Sequence, residues 1–158
     1  MSDTQTLQII QDAFGSVPRP DKFTCEDGDF ECMEKDATLH AWRLELLRIE
    51  DVTNIGYDPW TECVPQGKAY FLPAMARLAL GQERPCEEWY AGWLGGRLGS
   101  DSGLFDYCSP SQREAILAFL DHLLETRAEV AEEECFLNEL IKARAHLSGA
   151  IRADESSV

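Results

Sequence analysis

The segment from Tyr70 to Leu80 is the most apolar part of this 158-residue chain. Read at 3.6 residues per turn, its apolar side chains cover almost the whole circumference of a helix, and only Arg77 clearly needs contact with water. A helix of this kind must be enclosed by other elements on several sides. The segment therefore predicts a fold built around a buried helix, which we expect over residues 66–80 with Gly81 as its C-cap.

Pro73 lies inside this apolar segment. A proline in a helix interior removes one hydrogen bond and clashes with the preceding turn, at a cost of about 3 kcal/mol. Two arrangements avoid part of that cost. Either the helix begins with Pro73 at its first position, or it is kinked there and residues 70–72 form a buried first turn.

Helical spacing of apolar residues predicts most of the other elements. We expect an amphipathic helix over residues 4–14, an acidic segment that becomes helical near Glu31, a helix over residues 39–52 and an aromatic helix over residues 86–98. A short strand is the alternative for the end of the 39–52 segment. Residues 54–60 and 99–108 are expected to be a turn and a loop. The glycines near the aromatic helix (Gly92, Gly95, Gly96 and Gly99) indicate that it is short or that another backbone approaches it closely.

Ser109, Pro110 and Gln112 form the pattern of a capping box, which predicts a helix start. No glycine or proline interrupts residues 111–148. One straight helix of that length would span roughly 57 Å, whereas a domain of this size has a radius of gyration of about 15 Å. The run therefore either breaks near residues 126–133 into two packed helices, or projects and offers a surface to a partner or a second copy.

These patterns predict an all-α fold, a single-domain orthogonal or bundle-like arrangement of about six helices with a long or broken C-terminal helix pair. The domain is expected to span residues 1–158, with frayed ends at residues 1–3 and 153–158. The N-terminus has no basic region followed by an apolar run, and no stretch is apolar enough to span a membrane. We therefore expect a cytoplasmic protein whose six cysteines remain thiols.

Few residues suggest chemistry. Cys25 and Cys32, with Cys63 or His40, are a candidate zinc set, but their spacing is wider than in most structural zinc sites. Cys108 precedes a predicted helix, where a lowered thiol pKa would make it reactive, and His122 is expected to be solvated. No known catalytic motif is present. We expect no enzyme activity, no metal and no cofactor.

The net charge of −15 opposes binding to nucleic acid or to an anionic membrane and favours a basic protein partner. Acidic residues cluster over 26–36 and 129–134, where a solvated face is the alternative interpretation. Tyr57 and Trp60, on the predicted turn, are candidate aromatic anchors, although a buried Trp60 fits the sequence equally well. The candidate partner-binding residues are Asp27, Asp29, Glu31, Tyr57, Asp58, Trp60, Glu129, Glu132 and Glu133.

Several short segments occur together in a pattern that resembles a known group of proteins. They are Ala13-Phe14, Glu31-Cys32, the stretch from Ala69 to Ala74, the stretch from Gln112 to Ile116, and Phe119-Leu120. Over residues 5–125 the chain resembles an uncharacterised family of small bacterial proteins. The resemblance implies a soluble, mainly helical bacterial protein and carries no catalytic residues with it. Small acidic cytosolic proteins of this profile are often immunity proteins, which are antitoxins against delivered toxins.

We therefore expect an immunity (antitoxin) protein that binds a basic secreted bacterial toxin, with a nuclease effector as the favoured case. Its acidic side chains would cover the basic active site that a nuclease uses to bind phosphates. The alternative is a small cytosolic scaffold or adaptor that dimerises through its C-terminal helices. That interface would use the apolar stripe Val130, Leu137, Leu140, Ile141 and Leu147. The sequence leaves the choice between monomer and dimer open.

Overall fold

The computed structural model of the protein describes residues 1–25, 30–53, 58–81 and 89–155, with side chains to residue 151. In these residues the chain is helical and has no strand, which confirms the all-α class and removes the strand alternative. The described ranges contain ten α-helices instead of about six, because several are very short. They are α1 (Asp3–Phe14), α2 (Phe30–Ala41), α3 (Ile49–Val52), α4 (Pro59–Glu62), α5 (Pro65–Gly81), α6 (Tyr90–Ser100), α7 (Ser102–Tyr107), α8 (Pro110–Thr126), α9 (Ala128–Glu133) and α10 (Leu137–Glu155), with a 3-10 helix at Leu44–Leu46.

The apolar segment of the sequence is the buried helix α5, and Pro73 lies in its interior. The expectation that the helix begins at Pro73 is wrong, since it begins at Pro65. Phe71 and Leu72, in the turn before Pro73, are fully buried. Burial of each is worth about 1.5–3 kcal/mol, and the two together are enough to offset the cost of about 3 kcal/mol of one interior proline.

Helix α5 packs mainly against α1, α6 and α7. These neighbours enclose it on several sides, as the sequence predicts. The capped helix α8 packs on α1 and α10. Buried residues from Ile10 in α1 to Leu147 in α10 belong to one hydrophobic cluster. Gly81, the predicted C-cap, is the last residue of α5.

Helices α6 and α10 approach each other more closely than ordinary side chains allow. A methyl group at Gly99 would lie 2.0 Å from Cβ and 2.2 Å from Cα of Ala143. A methyl group at Gly95 would lie 2.3 Å from a Leu140 methyl carbon. The glycines of α6 therefore let another backbone come close, as the sequence predicts.

The run from Ser109 to Ser148 is not one helix. The capping box is confirmed, because Gln112 N donates to the Ser109 hydroxyl and Ser109 N donates to the Gln112 side chain. Helix α8 then ends at Thr126, within the expected break region. After α9, Cys135 adopts a positive φ of 64°, which turns the chain into α10. Helices α10 and α8 pack on each other, so the broken pair, and not the projecting helix, is the observed form.

Two other predictions of local structure are wrong. The expected helix over residues 39–52 is interrupted, and Arg77 of α5 donates hydrogen bonds to the carbonyls of Leu44 and Leu47 at 3.1 Å each. These two carbonyl groups therefore accept hydrogen bonds from a side chain of α5. The expected loop after Gly99 contains α7, whose N-terminus is capped by Asp101 through the N–H of Leu104 at 2.9 Å.

The ends of the chain are also more ordered than expected. Ser2 caps α1 in a second capping box with Gln5, so residues 1–3 are not frayed. At the other end, α10 continues to Glu155, past the expected boundary at residue 153. Residues 156–158 lie outside the described part of the chain.

An ion cluster joins the first helix to the junction of α8 and α9. Asp3 Oδ1 lies 2.6 Å from Nε2 of His122, and Asp3 Oδ2 lies 2.8 Å from Nη2 of Arg127. Arg127 also donates to the carbonyl of Leu80 at the end of α5. His122 is almost completely buried, so the expectation of a solvated His122 is wrong. The cluster ties α1, α5 and α8 together by charge-assisted hydrogen bonds.

We predict that Gly99→Ala destabilises the protein by about 2 kcal/mol, because the added methyl group must separate α6 from the backbone of α10. Urea unfolding followed by circular dichroism measures the change. Gly149→Ala in α10 is the control, since a methyl group there meets no atom within 4 Å. It should stabilise the helix by about 0.5–1 kcal/mol. Equal effects of the two substitutions would contradict the close-packing interpretation.

We predict that Asp3→Asn lowers stability at neutral pH by about 1 kcal/mol or less, because Asp3 is half exposed and solvent screens its charge. The Arg127 hydrogen bond is the largest cause that holds the pKa of Asp3 below its usual 3.8, and the His122 hydrogen bond adds to it, while partial burial opposes both. The stabilisation is therefore present above pH 3.8 and is lost as the pH falls through the lower folded pKa. Denaturation at several pH values should show the two proteins converging in acid, and a constant difference would contradict the ion cluster.

Candidate functional site

Helix α2 carries the acidic residues that the sequence predicts as part of a partner-binding surface. Leu39 is its only buried residue, so polar contacts position much of the helix. Asp36 accepts hydrogen bonds from the backbone N–H groups of Phe23 and Thr24 at 2.7 and 3.2 Å. Lys35 lies 3.0 Å from Glu62 of α4. This attachment leaves the opposite face of α2 exposed.

The exposed face of α2 is both apolar and acidic. Phe30 is 74% exposed and Met33 is 62% exposed, and their i, i+3 spacing places them side by side on the helix. Glu31 and Glu34 are exposed on the same helix. We call these four residues the α2 face. Isolated exposed apolar residues are common, but two adjacent large ones on one helix are typical of an interaction surface.

Glu31 is exposed, as its predicted role requires, but it has a partner within the chain. Its carboxylate lies 3.0 Å from Nζ of Lys35, which also contacts Glu62. The Glu31 hydrogen bond is the largest cause, and the Glu62 hydrogen bond the next, that raise the pKa of Lys35 above its usual range. On the α2 face, Lys35 therefore partly balances the charge of Glu31, whereas Glu34 forms no ion pair with a described residue.

The α9 glutamates form a separate acidic group. Glu129, Glu132 and Glu133 are exposed, while Ala131 on the same helix is buried against the core. Burial of Ala131 fixes which side of α9 faces the protein and leaves the glutamates in solvent. These three predicted residues are thus brought together on one surface, with no large exposed apolar residue in α9.

Asp58 and Trp60 are not surface residues. Trp60 is 3% exposed and Asp58 is 7% exposed, so the prediction of exposed contacts is wrong and the alternative of a buried Trp60 is confirmed. Asp58 is the N-cap of α4, accepting from Trp60 N and from the Thr61 hydroxyl at 2.9 Å each. Burial raises the pKa of Asp58 above its usual value, and these hydrogen bonds oppose the rise. Both residues therefore stabilise α4 and are unavailable to a partner in this conformation.

The remaining predicted residues, Asp27, Asp29 and Tyr57, lie outside the described part of the chain. Sequence reasoning did not single out Phe30 and Met33. The sequence does indicate that they share a helix face, because Phe30, Met33 and Ala37 follow the i, i+3, i+7 spacing of such a face. That spacing predicts a stripe but not whether the stripe is covered, and only the structure places it outside the core.

A second feature is a set of cavities around Arg97 of α6. A cavity of about 230 Å³ is lined by Asp58, Tyr90 and Arg97. A second, of about 280 Å³, is lined by Arg97 together with Lys68 and Asp101, which form an ion pair at 2.5 Å. A third, of about 540 Å³, lies between α6 and α10 and is also lined by Arg97. No sequence pattern indicated this arrangement, because it depends on residues distant in the chain.

The cysteines occupy contrasting environments. Cys25 and Cys32 have their sulfur atoms 3.9 Å apart, and among the described residues no group of three or more His, Cys, Asp or Glu side chains is arranged to hold a metal ion. Burial raises the pKa of Cys108 to about 11, so the idea of a reactive thiol at the start of α8 is wrong. Burial also raises the pKa of Cys63 above its usual range.

Within the described residues, no helix has the length and apolar content needed to cross a membrane. Comparisons with protein-family models, with curated proteins and with solved structures found no match to this chain. The resemblance to a family of small bacterial proteins therefore stays a prediction from the sequence.

We predict that iodoacetamide at about pH 8 alkylates Cys25 and Cys135 much faster than Cys63 and Cys108, because the first two are exposed and the other two are buried with raised pKa values. Peptide mass spectrometry after timed quenching measures each rate. In urea the rates should become similar, which serves as the control. Rapid labelling of Cys108 in the folded protein would contradict its buried position.

Proposed function

We propose that this protein is a binding protein that neutralises a basic protein partner, as an immunity protein neutralises a secreted bacterial toxin. The observation that carries the proposal is the α2 face, where exposed Phe30 and Met33 lie beside exposed Glu31 and Glu34. Apolar anchors with a charged border are the usual composition of a protein interface. A net charge of −15 supports a basic partner.

A nuclease effector is the favoured partner within this proposal. Its nucleic-acid site must be basic in order to bind phosphates, and acidic side chains can occupy that site. The α9 glutamates add a second acidic surface that would raise the association rate without supplying an apolar anchor. In this proposal the protein acts in the cytoplasm and inhibits by covering the partner, with no catalysis of its own.

The alternative, a scaffold that dimerises through its C-terminal helices, has less support. Leu140 and Leu147 of the proposed stripe are almost fully buried within the chain. Ile141 is 49% exposed, and Val130 and Leu137 are partly buried against the core. Most of the apolar surface that such a dimer needs is therefore already covered by α6 and α8. Light scattering that gives a dimer, lost in Ile141→Glu, would favour this alternative.

We predict that Phe30→Ala with Met33→Ala weakens binding of the partner by about tenfold or more, because central apolar anchors supply most of an interface's free energy. The partner to test is the product of the adjacent gene, captured from co-expression and then measured with purified proteins. Leu46→Ala is the matched control, since Leu46 is 67% exposed but lies outside α2.

The charge component is tested separately with Glu31→Gln and Glu34→Gln across a salt series. The pair should slow association and flatten its salt dependence, with dissociation changed less. Glu114→Gln, another exposed glutamate, is the control for net charge. Absence of binding by the adjacent gene's product, or binding that is indifferent to salt, would contradict the proposed function.

A further inference from the structure

The cavity between α6 and α10 is unusual in this acidic protein because two cationic side chains line it. Arg97 comes from α6 and Lys142 from α10, and the imidazole of His146 also lines the cavity. Lys142 and His146 are four residues apart, so they lie on one face of the helix. Glu139, one turn before Lys142, is the acidic residue of the lining. We call this cavity the α6/α10 groove.

Arg97 and Lys142, the cations of the α6/α10 groove, form no ion pair with the carboxylates of the described residues. Some other cations do, such as Lys68 with Asp101 and Arg144 with Asp121. Arg97 instead lies over the ring of Trp93, 5.4 Å from its centroid, and no described carboxylate lies within 4.0 Å of Arg97 or Lys142. Two cations that are left beside a cavity can bind an anion from solution.

Aromatic rings form the apolar part of the groove. Trp93 and Phe136 both line it. Trp93 stacks on the buried Tyr90 with ring centroids 5.6 Å apart and planes 17° from parallel. Phe136 packs against Trp89 with centroids 6.2 Å apart. These contacts hold the two rings in place, and a flat apolar group can lie beside them in the groove.

The groove is also held at a fixed width at one end. Gly99 and Ala143 both line it, and they are the residues at which α6 and α10 approach most closely. Backbone packing therefore fixes the distance between the two helices that carry Arg97, Lys142 and His146, while these three side chains are exposed to solvent. The cavity volume of about 540 Å³ is in the range of small-molecule sites.

We propose that the α6/α10 groove binds a small aromatic oxyanion, a planar ring that carries a carboxylate or a phosphate. Arg97, Lys142 and His146 hold the oxyanion, and Trp93 and Phe136 contact the ring. Charge and ring are both required, since the cations recognise the first and the aromatic walls the second. The site includes no residue of the α2 face, so it stands independently of the proposed function.

Calorimetric titration of the full chain with four probes tests the proposal. Phenyl phosphate and benzoate carry both features, inorganic phosphate lacks the ring, and benzyl alcohol lacks the charge. We expect phenyl phosphate or benzoate to bind, with the tighter of the two identifying the oxyanion, and each single-feature probe to bind at least about tenfold more weakly. Equal binding of inorganic phosphate, or no binding of either aromatic anion, would overturn the proposal.

Substitutions of the lining residues test whether the aromatic anion binds in the groove. Arg97→Gln and Lys142→Gln should each weaken the aromatic anion by about tenfold, the usual loss for one charge-assisted hydrogen bond. Arg43→Gln makes the same change of charge at an exposed residue outside the groove and should leave affinity nearly unchanged. Circular dichroism melting confirms that the variants are folded.

Glu139→Gln gives a test in the opposite direction. Because the Glu139 carboxylate lines the groove and repels an anion, its neutralisation should tighten binding several-fold. Glu114→Gln removes an exposed acid elsewhere and should have a smaller effect. Identical responses of the two glutamate variants, or of the arginine variants, would show that binding follows net charge only and would overturn the proposed site.

Discussion

The architecture depends on the close approach of α6 to α10. Glycines at positions 95 and 99 remove the side chains that would hold these helices apart, and Leu140 and Ala143 occupy the space. That contact allows α10 to cover α8 as well as α6, which closes the core over the C-terminal half of the chain. It also explains why α6 tolerates several glycines, each of which costs about 1 kcal/mol in an isolated helix.

Local signals predicted much of this fold. The capping box at Ser109, the apolar circumference of α5 and the length limit on residues 111–148 each correspond to an observed element or break. The failures have a common cause, which is competition from distant partners. Arg77 binds carbonyls that would continue a helix after Leu44, and Asp3 provides the partner that allows His122 to be buried. Neither contact can be predicted from the local periodicity of the sequence.

The candidate sites were less predictable, because exposure is a property of the assembled chain. Asp58 and Trp60 look like turn residues in the sequence, yet the cap of α4 draws both into the core. Phe30 and Met33 look like an ordinary helical stripe, yet α2 is attached through Asp36 and Lys35 and leaves them outside. The Arg97 cavities combine residues from α3, α4, α5, α6, α7 and α10, and no spacing rule brings these together.

The contact between Asp3 and Arg127 bears on how the chain folds during synthesis. The two residues are 124 positions apart, and α1 buries Ile10 and Phe14 in a core that α8 helps to form. At a ribosomal rate of about 5–20 residues per second, α1 must wait on the order of 10 s before Arg127 is made. Helix α5 is made earlier and can cover part of α1, but the surface of α1 that α8 covers has no partner for that interval. The nascent chain is therefore most exposed to aggregation or to chaperone binding before α8 emerges.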